Sequence, residues 1–197
     1  FNVFASAQHI NRDSYYGGGQ DLNAYGNTTD LNWMAGSQYV YSFGKCIFMP
    51  SDLTAGIEFN QDKLEDNMWG YHRTVDQKVN IGSAFLQNEW KNDHWGFLLG
   101  GRLDKHNLID HIIFSPRANL RFNPTQNINL RLSYSSGFRA PQEFDEDMHI
   151  ENVGGTVAMI ERAKDLKEEK SQSFSASADM YHRFGAFQTN LLVEGLV

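Results

Sequence analysis

The chain has 197 residues and a formal net charge of −7, long enough for a substantial core and too acidic for the basic stripe a nucleic-acid partner needs. Aromatics make up 13% of the residues, glycine is frequent and proline rare, a mix that suits many strands joined by turns. No run of about 18 apolar residues exists, which excludes a transmembrane helix but not a barrel, whose strands are apolar on one side only.

The single cysteine, Cys46, allows no intrachain disulfide. Mean hydropathy is −0.51, a value that a soluble sheet and a transmembrane barrel share. Phe1 already lies in a strand-like run, and Leu191 to Val197 is still strand-like. Both ends therefore predict a piece of a longer chain.

Taken in order, Phe1 to Ile10 reads as a strand, with Phe4, Ser6 and Gln8 on one face. Asn11 to Thr29 lacks periodicity and predicts a loop. Leu31 to Phe43 is a strand with Trp33, Ala35, Tyr39, Tyr41 and Phe43 on one face, and Gly44 to Pro50 is a short connection. In Asp52 to Asp66 the faces separate well: Leu53, Ala55, Ile57 and Phe59 oppose Thr54, Glu58, Asn60 and Asp62.

Asn67 to Gln77 predicts a polar loop, Lys78 to Lys91 a less cleanly patterned strand, and Asn92 to His94 a tight turn. Trp95 to His106 places Trp95, Phe97, Leu99 and Leu103 opposite Arg102 and Asp104. After a connection at Asn107 to Phe114, Ser115 to Asn123 alternates again, and Pro124 to Gln126 stops the ladder. Ile128, Leu130, Leu132 and Tyr134 then share one face of a strand, with Asn129, Arg131, Ser133 and Ser135 on the other. Phe138 to Glu169 is the longest segment without repetition. Ser171 to Phe184, a turn at Gly185 and Ala186, and a strand from Phe187 complete about nine strands.

The connections alternate long and short. Consecutive antiparallel strands put alternate connections at opposite ends, so the short turns gather at one rim and the long loops at the other. Outer-membrane barrels have this asymmetry, with short periplasmic turns and long external loops, whereas Greek-key crossings of a soluble sandwich mix the lengths. The expected fold class is all-β: an antiparallel up-and-down transmembrane β-barrel segment of about nine meander strands.

Two motifs sharpen this. Gly137-Phe138-Arg139-Ala140-Pro141 ends one strand, and Leu166-Lys167-Glu168-Glu169-Lys170-Ser171 opens the next. With the alternation from Ser115 to Tyr181, they resemble the barrel of TonB-dependent outer-membrane receptors, active importers of scarce nutrients. The second motif departs from the family's usual box, because Ala163 to Glu169 lacks both of its prolines.

The resemblance implies a barrel of roughly 22 strands with a plugged lumen, of which residues 1–197 form one part. The plug domain, the Ton box that contacts the energy-coupling protein TonB, and the barrel's C-terminus are expected outside this segment. It further implies bacterial outer-membrane lipid, the plug, TonB and a small-molecule nutrient as partners, no enzymatic activity and no resident cofactor. The nutrient would be an iron chelate, haem or cobalamin.

In haem receptors of the family a histidine between the two motif boxes ligates the iron, and His149 occupies that interval. It is either a ligand of haem carried as cargo or an ordinary polar loop residue. Phe138 and Arg139 either shape the ligand loop or, with Pro141, simply end the strand. Trp69 and Tyr71, like Tyr15, Tyr16 and Tyr25, either stack on a ligand or sit at the lipid interface.

Arg117, Arg121 and Arg131 point to the lumen side, toward plug carboxylates or water. Glu143, Asp145, Glu146 and Asp147 form an acidic cluster without the spacing of a known calcium loop. His106 and His111 bracket one connection, a weak metal signal. A passive porin-like channel, a barrel hydrolase and a soluble all-β binding module remain as alternatives.

Overall fold

A computed structural model describes residues 1–15, 25–69, 72–141, 151–153, 156–158 and 167–197. Its strands are β1 (Asn2–Tyr15), β2 (Tyr25–Cys46), β3 (Met49–Met68), β4 (Arg73–Lys91), β5 (Trp95–His106), β6 (Ile113–Thr125), β7 (Ile128–Arg139), β8 (Glu151–Val153), β9 (Thr156–Ala158), β10 (Glu169–Phe184) and β11 (Phe187–Leu196). Nine of them form one antiparallel meander in the order β1-β2-β3-β4-β5-β6-β7-β10-β11. The other two, β8 and β9, make a small separate hairpin.

Register aligns like with like. On one face, Tyr39, Ala55, Leu86 and Gly101 face one another across β2 to β5. Leu99, Ala118, Tyr134 and Phe174 do the same across β5, β6, β7 and β10. These apolar side chains are not tucked into a second layer: Ile57, Leu99 and Leu132 are 63%, 57% and 54% exposed. The opposite face carries Glu58, Ser83, Arg102 and Asp104 on β3 to β5, and Arg117, Asn119, Ser133 and Ser175 on β6, β7 and β10. A sheet with its greasy face exposed and its polar face inward is the arrangement of a barrel wall in lipid.

The apolar band has visible edges. Near the short turns it ends in rings: Phe48 stacks on Trp90, and Trp95 stacks on Phe97 and on Phe122 at 4.2 Å. Aromatic side chains of this kind collect where hydrocarbon meets headgroups. At the other edge the outward face turns to amides, with Trp33 Nε1 donating to Gln61 Oε1 at 3.2 Å and Gln61 Nε2 to Asn80 Oδ1 at 2.7 Å.

Beyond that edge the structure corrects the sequence expectation. Asn11 to Thr29 and Asn67 to Gln77 are not loops throughout: β1 and β2 pair from Asn11↔Thr29 to Tyr15↔Tyr25, and β3 and β4 up to Met68↔Arg73. The outward-apolar pattern ends there because the outward face has left the hydrocarbon and can be polar, while part of the inward face turns apolar. Pairing persists through side-chain bonds such as Asn27 Nδ2 to Asn11 Oδ1 at 2.9 Å and Thr74 Oγ1 to Asn67 Oδ1 at 3.0 Å. The inward face of the same stretch buries Leu64, Met68, Val75 and Val79, with Thr28 Oγ1 donating to the buried Asp66 at 2.6 Å.

The weak pattern of β4 has a packing cause. Phe85 lies on the inward face, where its ring fills the space above Gly56 that a Cβ would occupy. Phe4 covers Gly36 in the same way on β2.

The two faces give opposite expectations for one substitution. Ile57→Arg puts a cation into lipid and is expected to destabilise the folded barrel by about 2–4 kcal/mol, whereas Thr54→Arg, inward-facing three residues away, should cost much less. Urea titration of the full-length protein folded in vesicles reads the difference, and equal costs would contradict the assignment of faces.

Candidate functional site

The inward face is drawn together by one side chain. Arg102, at the middle of the nine strands, donates from Nη2 to Glu58 Oε1 at 2.9 Å and to Ser83 Oγ at 2.7 Å, and from Nε to Asp104 Oδ1 at 2.7 Å. Ser83 Oγ in turn donates to Asp104 Oδ1 at 2.6 Å. Asp104 is buried, and the planar fork of the guanidinium serves it and Glu58 at once. Three strands are cross-linked by a group the sequence places on the polar face but cannot pair, because pairing depends on register.

The network borders a cavity of about 470 Å³ that also takes in Thr54, Gln87, Arg117 and Ser135. Hydroxyls, amides and cations in a hollow of this size suit a polar solute or a polar segment of protein. Below it, Arg121 faces Arg131 directly across β6 and β7. Like charges opposed across strands repel, so this part of the inward face favours an anionic neighbour.

The rim opposite the short turns is built differently. Ile109, Ile113 and Ala140 form a small buried cluster, with Phe138 packed against it. Arg139 closes β7 opposite Glu169 of β10, and Ala140 and Pro141 follow. His106 is buried, and its Nδ1 accepts the Leu108 N–H at 3.0 Å, shaping the turn after β5. His111 Nε2 reaches Glu168 Oε1 at 3.0 Å, and Lys170 Nζ lies 3.2 Å from the same oxygen.

These contacts tie the β5–β6 connection to the foot of β10. The backbone N–H at its own position, then Lys170 and His111, hold the Glu168 carboxyl below the usual carboxylate range.

Of the two histidines bracketing that connection, His106 uses Nδ1 in the turn and leaves Nε2 buried without a hydrogen-bond partner, and His111 hydrogen-bonds Glu168. Among the described residues no group of three or more His, Cys, Asp or Glu is placed to hold a metal. Trp69 is exposed at the end of β3, where the His72 N–H donates to its carbonyl at 3.2 Å and closes the tight β3–β4 connection. Tyr15 and Tyr25 pair at 4.8 Å on the strand extensions rather than in the membrane band. His149, Tyr71, Tyr16 and the acidic cluster from Glu143 to Asp147 lie outside the described residues.

A meander with a lipid-facing outer side, a polar inner side, the shortest turns at one rim and longer connections at the other is a sector of a transmembrane β-barrel. The family model described as "TonB dependent receptor-like, beta-barrel" matches residues 1–192, and the chain belongs to that family. Solved structures share the fold. The siderophore receptor PirA from Pseudomonas aeruginosa superposes with a TM-score of 0.68 at 13% identity, covering 96% of this chain and 38% of that one.

A mutant of the ferric enterobactin receptor PfeA from Pseudomonas aeruginosa, in complex with enterobactin, gives 0.63 at 17% identity, covering 96% and 31%. The siderophore receptor PirA from Acinetobacter baumannii gives 0.60 at 16%, again covering 96% and 31%. The chain thus spans between three and four tenths of the length of these receptors. A comparison with curated proteins finds no match.

Two measurements test the site. Arg102→Met leaves the buried Asp104 carboxylate without its cation and is expected to destabilise the full-length barrel by about 1–3 kcal/mol. Adding Asp104→Leu should recover most of that loss in the same urea titration.

The second is a pH series of hydrogen exchange over residues 107–112. A carboxylate whose folded pKa is lowered contributes above its unfolded value of about 4.3 and stops contributing as pH falls through the folded value. Protection of the connection should therefore persist as pH falls through the ordinary glutamate range and be lost only below it, and Glu168→Gln should remove that dependence.

Proposed function

We propose that the chain is part of the barrel wall of a receptor in the bacterial outer membrane. The receptor imports a scarce nutrient with energy delivered through TonB. The observation carrying this reading is the family match along residues 1–192 of a sheet with one face suited to lipid and the other lined with polar groups around a cavity.

No bond in the cargo is made or broken in such a mechanism. Ligand is bound at the rim of long connections, a plug inside the barrel moves, and cargo passes along the inward face. The plug and the Ton box are supplied by other segments of the full protein.

Among an iron chelate, haem and cobalamin, the iron chelate is the reading favoured by the resemblance to siderophore receptors. Phe138, Arg139, Trp69, Tyr71 and His149 belong to the ligand-binding rim in this proposal, with His149 the residue to contact the iron if the cargo is haem. The inward face from Arg102 to Arg131 meets the plug.

The test is growth. A deletion strain carrying the full-length gene on a plasmid is expected to grow on one defined source among ferric chelates, haem and cobalamin only with an intact TonB. Growth on all three without the gene would overturn the assignment of cargo, and growth independent of TonB would overturn active import.

A further inference from the structure

Between Ile113 and Arg139 the sequence has four arginines and no aspartate or glutamate, in a chain whose net charge is −7. Arg139 stands opposite Glu169 at the rim, and Arg117, Arg121 and Arg131 lie on the inward face of β6 and β7. On the neighbouring strand Arg102 is taken up by Glu58 and Asp104. Arg121 and Arg131 have no such partner, since among the described residues neither forms an ion pair. Asp179, diagonal to Arg131 on β10, already accepts bonds from Tyr181 Oη and Asn190 Nδ2.

The two guanidiniums share one row of the sheet and turn apart. Arg121 lies across Gly96, where a Cβ would stand 3.2 Å from its Nε, and donates from Nη2 to the Asn92 carbonyl of the β4–β5 turn at 3.3 Å. Arg131 runs along its own strand and donates from Nε to Asn129 Oδ1 at 2.9 Å. Both acceptors are neutral, and most of the N–H donors of the pair stay outside these bonds. Ser177 continues the row on β10, and Asn119 and Ser133 occupy the row above.

Two like charges opposed on adjacent strands cost stability whether or not cargo is passing. Only an anion that stays can offset that cost in the resting barrel. A passing solute cannot, and one gripped by two guanidinium forks would be slow to leave.

We propose that Arg121 and Arg131 form a seat for a resident oxyanion, a carboxylate or a phosphate, at the end of the inward face near the short turns. Arg121 swings off Gly96, Arg131 swings off Asn129, and their planar forks close on the anion from either side, with Ser177 and Asn119 at its edges. The anion is either a side chain of the polypeptide that fills the barrel or free phosphate. The seat rests on the barrel-wall reading of the proposed function and is independent of the cargo.

The sign of a single substitution decides. If the two arginines only repel, removing either charge relieves the barrel; if they share an anion, removing either one loses it. In the full-length receptor, Arg121→Gln and Arg131→Gln are each expected to lower the thermal unfolding midpoint by about 2 °C or more, and the double substitution to lower it little further. An unchanged or raised midpoint for either single variant would overturn the proposal. Should a glutamine variant not fold, Arg131→Lys keeps the charge and loses the fork. It too is expected to lower the midpoint, and no change there counts against the seat.

Inorganic phosphate, added to receptor dialysed free of it, separates the two sources. A rise in the wild-type midpoint that Arg131→Gln abolishes identifies a free anion. No rise, together with destabilised glutamine variants, identifies a carboxylate of the protein itself. Nutrient-dependent growth reads the uptake proposal separately, so either reading can fail without the other.

Discussion

Inside hydrocarbon a backbone N–H or C=O has no water to turn to, and each unpaired one costs several kcal/mol. Every other property of this chain is subordinate to that requirement. Consecutive strands pair antiparallel through the sheet, with register slips only near two of the short turns, between Phe43 and Cys46 and between Phe122 and Thr125. Once the ladder fixes the register, side chains are sorted by parity alone. Leu53, Ala55, Ile57 and Phe59 go to lipid because Thr54, Glu58 and Asn60 cannot.

Much of this was legible in the residues. Clean alternation, as in Ile128 to Tyr134, identified strands, and the positions of short turns at Asn92 to His94 and at Gly185 and Ala186 gave the connectivity. Legibility failed where one of the two environments disappeared. Above the membrane the outward face of β1 to β4 is polar and part of the inward face is apolar, so Asn11 to Tyr15 and Arg73 to Gln77 do not repeat the outward-apolar pattern although they are paired strands. Alternation is a record of contrast between two solvents, not of strand geometry itself. Where glycine takes a ring from a neighbour, as Gly56 takes Phe85, the record blurs again.

The candidate site was legible as a set of residue types but not as an arrangement. Arg102, Asp104 and Glu58 could each be placed on a polar face from parity, yet Glu58 and Arg102 are 44 residues apart, and only the pairing of β3 with β4 and of β4 with β5 brings them to 2.9 Å. The rim histidines show the converse. Spacing around the β5–β6 connection hinted at a metal, but His106 is committed to a backbone amide and His111 to Glu168. Histidine near a turn has local work available to it, and only coordinates reveal whether that work is already taken.

The strands that outrun the bilayer decide the shape of this sector's rim. β3, with 20 residues, is roughly 65 Å long along its own axis, far more than a membrane requires. Cross-strand ladders of that length resist bending, so the portion built from β2, β3 and β4 stands above the surface as a parapet and not as a tentacle. A parapet cannot wrap around an object. Toward β5 and β6 the strands stop sooner, at 12 and 13 residues, so the rim of this sector is stepped, tall along β2 to β4 and low beside them.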